Sequence, residues 1–128
     1  MVGELDLLSR FSFEETVSNL KSSLKKRQLT EFAVFDHRKN AEMAGLEMND
    51  CTVFVFGNPA IGTYMMQEDP TIGLDLPSRI LVYVKDGSTH VRFRHIDADL
   101  KTERSKDALN RLNSVVEAIA RECAGIQP

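Results

Sequence analysis

The stretch Val55-Phe56-Gly57-Asn58-Pro59-Ala60-Ile61-Gly62-Thr63-Tyr64-Met65-Met66 decides how the chain is laid out. An apolar run over residues 52–56 ends on Gly57, and the chemistry of a helix start follows at once. Asn58 can cap a helix through its side-chain oxygen. Pro59 suits the first helical position, where a missing N–H costs nothing. A strand therefore stops here and a short helix begins, over residues 60–67. Gly62 fits this account least well, because glycine inside a helix costs about 1 kcal/mol against alanine. Its presence implies close approach of another backbone or of a ligand. The first amides of a helix can also hold an anion, although the lysine and glycine spacing of a phosphate-binding loop are missing. Two explanations of this corner stand side by side, structural punctuation and a small-ligand site.

Downstream, residues 57–78 hold three of the four prolines and three of the seven glycines, so they cannot form one regular element. An irregular loop is expected through Glu68-Asp69-Pro70-Thr71-Ile72-Gly73-Leu74-Asp75-Leu76-Pro77, and loops this long in small domains are often functional. Residues 80–84 form an apolar strand. Asp86-Gly87 supplies a tight hairpin turn. Residues 89–94 alternate, with Val91 and Phe93 on one face and His90, Arg92 and Arg94 on the other. After an irregular stretch over 95–102, Leu109, Leu112, Val116, Ile119 and Cys123 recur at helical spacing, and Gly125 ends that helix.

Upstream, residues 4–11 suggest a first strand. Ser12-Phe13-Glu14-Glu15 reads as a capping box, and Phe13, Val17, Leu20 and Leu24 follow on one helical face. Residues 30–35 form a second strand ending in Asp36-His37, and a short helix over 38–44 closes on Gly45. Hairpin connections imply a mainly antiparallel five-stranded sheet with two long helices packed on one face. The order is β-α-β(4)-α, of class α+β, with a short helix and irregular loop inserted between the third and fourth strands.

Composition sets the outer bounds. The 128 residues fit one domain, 1–128, large enough to bury a core without staples. A net charge of −3 argues against a general nucleic-acid binder. No apolar run reaches membrane-spanning length, and the acidic N-terminus lacks the basic start of a signal peptide. A cytoplasmic protein that binds neither nucleic acid nor membrane is expected. Cys51 and Cys123 form no metal-ligand spacing and are expected to act as small buried hydrophobes. No metal site and no cofactor motif is seen.

The succession Ser12-Phe13-Glu14-Glu15-Thr16, Asp36-His37 with Ala41 and Gly45, Phe56-Gly57-Asn58-Pro59, Gly62-Thr63 and Leu74-Asp75-Leu76-Pro77-Ser78-Arg79 resembles the domain-of-unknown-function 302 family over about residues 9–94. That resemblance implies a β-α-β(4)-α sandwich like the TATA-box-binding protein, without implying DNA binding, since function belongs to sites and not to folds. It implies no activity. The chain departs from the family after the fifth strand. Phe93-Arg94-His95-Ile96-Asp97 stands where an aromatic followed by an Asn/Asp-Pro pair is expected.

Candidate ligand-binding residues are His37, Gly57, Asn58, Pro59, Gly62, Thr63, Asp75 and Arg79; none is nominated as catalytic. His37 either borders a pocket with the 57–79 loop or merely caps the next helix. Asp75 and Arg79 either pair with each other or leave Arg79 to recognise a carboxylate or phosphate. His90, Arg92 and Arg94 are either a charged guard on an edge strand or an anion-lined face. Met43, Met48, Met65 and Met66 are core filler, a pliable pocket wall or a subunit interface. These features favour a homodimeric domain binding a small molecule, anionic in the sharper form, between the sheet and the 57–79 loop. The alternatives are an enzyme using His37, Asp75 or Arg79 for acid–base chemistry, and a protein-interaction module without a ligand.

Overall fold

Apolar side chains alternate between the two faces of antiparallel strands, and this sets which face of the sheet is buried. The computed structural model describes residues 4–127; residues 1–3 and 128 of the expected single domain lie outside the described residues. The strands are β1 (Glu4–Leu8), β2 (Thr30–Asp36), β3 (Cys51–Gly57), β4 (Ser78–Lys85) and β5 (Ser88–Arg94). The helices are α1 (Phe13–Lys26), α2 (His37–Met43), α3 (Pro59–Glu68) and α4 (Glu103–Ala124), with a 3₁₀ turn at Pro70–Leu74. All strand pairs are antiparallel, in the order β1-β5-β4-β3-β2. The expected α+β class and element order are observed, with α2 and α3 as the short additions. The first strand stops at Leu8, short of the expected residue 11.

Leu20 and Leu24 of α1 and Val116, Ile119 and Cys123 of α4 pack onto Phe54, Phe56, Ile80, Val82, Val91 and Phe93 of the sheet. Each fully buried side chain of this kind contributes about 1.5–3 kcal/mol. The capping box forms in altered style. Ser12 Oγ accepts from the Glu15 amide at 3.1 Å, and the Glu15 carboxylate accepts from the Ser12 hydroxyl at 3.4 Å, not from the Ser12 amide. At the end of α4, Gly125 takes φ 77° and the Ile126 amide donates to the Arg121 carbonyl at 2.8 Å. A Cβ at Gly125 would lie 2.6 Å from the Phe11 ring, so this cap needs glycine.

Three expectations are corrected. The loop after α3 is more ordered than expected. Ile72 of the 3₁₀ turn joins Met65, Leu100 and Ala108 in a second buried cluster, and Asp69 caps the turn by accepting from the Thr71 amide at 3.0 Å. Next, β5 is not an edge strand, because β1 returns to pair with it, Glu4 opposite Arg94 and Asp6 opposite Arg92. Third, β3 is not fully buried on both faces. Thr52, Phe54 and Phe56 face the helices, whereas Cys51 and Val53 are half-exposed on the open face of the sheet. Desolvation, and then Asp36, raises the Cys51 thiol above its ordinary value, and burial pushes Cys123 up to about 12, so both stay protonated.

The second cluster is tied to α4 by Glu68. Its carboxylate accepts from the amides of Lys101 and Thr102, the latter at 3.2 Å, and from the Thr102 hydroxyl at 2.8 Å. The bond from the Lys101 amide, followed by that from the Thr102 hydroxyl, draws the Glu68 carboxyl down from 4.5 to about 2. A folded value below the unfolded one stabilises fully above the unfolded value, and the contribution is lost as pH falls through the folded value. Glu68→Gln is therefore expected to lower the melting temperature at neutral pH. The gap to the wild type should close between pH 4.5 and about 2 in thermal melts taken across that range.

Candidate functional site

The sequence candidates do not share one cavity; three hold them all, and Gly57 and Asn58 also border a smaller one of about 120 Å³. Gly57, Asn58, Pro59, Gly62 and Thr63 line one cleft of about 240 Å³ beside Leu76 and Met66. Three of the polar groups there are already used. Asn58 Oδ1 accepts from the Ala60 amide at 3.0 Å, the Gly62 amide donates to the Asn58 carbonyl at 3.2 Å, and the Thr63 hydroxyl donates to the Pro59 carbonyl at 2.7 Å. Pro59 has no N–H to offer. This corner is a capped helix start bordering an apolar cleft and is poorly built to cradle a phosphate. No backbone crowds Gly62 either: a Cβ there would meet only Leu76 Cδ1 at 3.5 Å and Met66 Cε at 3.8 Å.

Asp75 and Arg79 line a second cleft of about 230 Å³ with Leu74, Ser78, Arg94 and His95. The expected ion pair between them is absent. Among the described residues neither side chain has a hydrogen-bond or ion-pair partner. Asp75 closes the 3₁₀ turn, while Arg79 stands opposite Val55 on the open face of the sheet, with Leu76-Pro77 carrying the chain between them. Arg94 gives its Nε to Glu4 Oε1 at 2.8 Å, which leaves its terminal nitrogens to another partner. His95 is held by Nε2 against Glu117 Oε1 at 2.9 Å. Glu117 is drawn below the usual carboxylate range chiefly by Arg121, against burial, with His95 assisting.

The third cavity is an open groove of about 470 Å³ on the bare face of the sheet, where Phe35, Val53 and Leu81 meet His37, Arg79 and Arg94. His37 is the exposed first residue of α2. Asp36 caps that helix instead, accepting from the Lys39 amide at 3.0 Å. Arg79 and Arg94 border both the groove and the polar cleft. His37 and Asp75 lie in different cavities, so the three residues considered for acid–base chemistry do not converge on one point.

The row His90, Arg92 and Arg94 is largely neutralised by β1. Asp6 accepts from Arg92 at 3.1 Å, bonds His90 Nδ1 at 3.0 Å and also takes the Tyr83 hydroxyl, while Glu4 takes Arg92 and Arg94. Tyr83 and His90 stack with centroids 4.9 Å apart. Burial works to raise the Asp6 carboxyl, but Tyr83, His90 and Arg92 outweigh it and hold the group low. Arg79 is the cation in this region that no acid claims among the described residues. His95 was not expected as a cleft residue, and Arg94 was weighed only as part of the charged row on β5. The departure from the family pattern after the fifth strand marked their position but not their role.

A family model described as "Domain of unknown function DUF302" matches residues 6–121. The chain belongs to the DUF302 family. Its fold is that of the uncharacterized conserved DUF302 protein from Bacillus stearothermophilus, with a TM-score of 0.72 over 95% of each chain at 18% identity. Curated relatives include "Fluoride-specific ion channel FluC 1" of Brucella suis, 39% identical over 89 residues, which cover 70% of this chain and 35% of that one. "Fluoride-specific ion channel FluC 2" of Brucella melitensis matches equally well over 33% of its length. The DUF302 chain thus spans about a third of the length of these relatives. Among its described residues no helix is long and apolar enough to cross a membrane, and no group of three or more His, Cys, Asp or Glu is placed to hold a metal ion.

Because Gly62 is crowded by nothing, Gly62→Ala is expected to stabilise the protein by about 1 kcal/mol, a rise of a few degrees in Tm. Differential scanning calorimetry measures it. A fall in Tm would mean that the apolar cleft is tighter than its walls suggest.

Proposed function

We propose that this DUF302 protein binds a small molecule carrying a carboxylate or phosphate and an apolar body. The observation that carries this is Arg79: a guanidinium without an acidic partner among the described residues, at the wall shared by a polar cleft and an apolar groove. A planar guanidinium can donate two parallel hydrogen bonds to such a group. The terminal nitrogens of Arg94 stand ready to add to them. Phe35, Val53 and Leu81 give the ligand's body an apolar bed. Asp75, also unpaired in the cleft, suits a hydroxyl or amine on the same molecule. A groove of about 470 Å³ falls in the range of small-molecule sites, which are mostly apolar with a few convergent polar groups. The channel activity named for the Brucella proteins belongs to longer chains, of which the match covers only about a third, and is not extended to this one.

The test uses benzoate, decanoate and inorganic phosphate as probes in calorimetric titration. An anion with an apolar body is expected to bind, and Arg79→Ala to weaken it about ten- to hundredfold, as loss of a charge-assisted hydrogen-bond pair does. The melting temperature should hardly change, since Arg79 supports no other side chain. Arg79→Lys should recover only part of the affinity. Unchanged binding in Arg79→Ala would remove the basis of the proposal.

A further inference from the structure

We infer that β2 is a homodimer interface, in which the β2 edges of two copies pair antiparallel about a two-fold axis near Val34. β2 is a sheet edge exposed on both faces, with Phe32, Val34 and Phe35 all more than 40% exposed. Of the ten exposed large apolar side chains among the described residues, six lie within Phe32 to Met48: those three with Met43, Leu46 and Met48. The exposure is thus concentrated in one stretch of chain, residues 32–48, which includes the edge strand, and uncovered apolar edges of this kind favour pairing. A bulge interrupts the strand only between Glu31 and Ala33. Ala33 to Asp36 keep regular register with Val55 to Thr52 and present an unbroken pairing edge.

Charge selects a second copy as the occupant and sets its direction. Glu31 near one end of β2, and His37 and Lys39 just past the other, make no side-chain ion pair among the described residues, while Asp36, the last residue of the strand, is engaged by the Lys39 amide at 3.0 Å. Antiparallel pairing about a two-fold near Val34 lays Glu31 of each copy beside His37 of the other, twice. Parallel pairing would set like against like. A two-fold interface needs such self-complementarity, because each patch meets its own copy. Phe35 and His37 also line the groove of the proposed ligand site, but the dimer is read by mass and the ligand by titration, so the two can fail separately.

The test is sedimentation velocity over a roughly hundredfold concentration range, because dimerisation depends on concentration. The wild type is expected to be a dimer. Val34→Lys places two like charges at the axis and should give a monomer whose circular dichroism is unchanged. Glu31→Lys should weaken the dimer about tenfold, and Glu31→Lys with His37→Glu should restore it. A wild type that is monomeric throughout overturns the inference. So does a Val34→Lys protein that folds and stays dimeric, which would move the interface elsewhere. Should Val34→Lys fail to fold, the charge-exchange pair decides alone, and a double variant no tighter than Glu31→Lys overturns the antiparallel arrangement.

Discussion

Leu5, Phe93, Ile80 and Phe54 stand in one cross-strand row through β1, β5, β4 and β3, each directly opposite the next. This row fixes register: sliding any strand by one residue would turn its apolar set out to the open face and its charges toward α1 and α4. The helices can bury their stripes only against a continuous apolar floor, and this row with its neighbours Val91, Val82 and Phe56 supplies it. The open face is therefore a consequence of the same register. Whatever points away from the helices is left to solvent, to a ligand or to another subunit.

That face divides in two. Toward β1 the charges answer one another across strands, so Arg92 and His90 are occupied by Glu4 and Asp6. Toward β2 the side chains are apolar and partly uncovered. Arg79 lies on the boundary, beyond the reach of the β1 acids that hold Arg92 and Arg94. An unmatched arginine at the margin of an apolar surface is what makes an amphiphilic anion a more suitable guest there than a purely apolar or purely ionic one.

The chain traces α3, the 3₁₀ turn and residues 95–102 through a small core of their own, held by Glu68 at the start of α4. This places Leu74 and Asp75 near the end of β5 and so completes the cleft around Arg79. The loop's prolines and glycines marked it as irregular. Ile72, Leu100 and Ala108 meet only through tertiary contact, so no local periodicity announced that they were core.

Local chemistry made much of the architecture legible. The Ser12 cap, the Asn58-Pro59 helix start, the Asp86-Gly87 turn and the Gly45 and Gly125 stops all act within a few residues, and each was readable from neighbours in the chain. The spacing of apolar residues along α1 and α4 and the alternation in β5 likewise declared their buried faces. The return of β1 to cover β5, the exposure of β2 as an edge, and the separation of Asp75 from Arg79 were decided only by the tertiary structure. Strand pairing and ion pairing depend on which distant residues come opposite each other. Residue type and spacing along a single chain carry the local preference of each segment, but not the partner it finally meets.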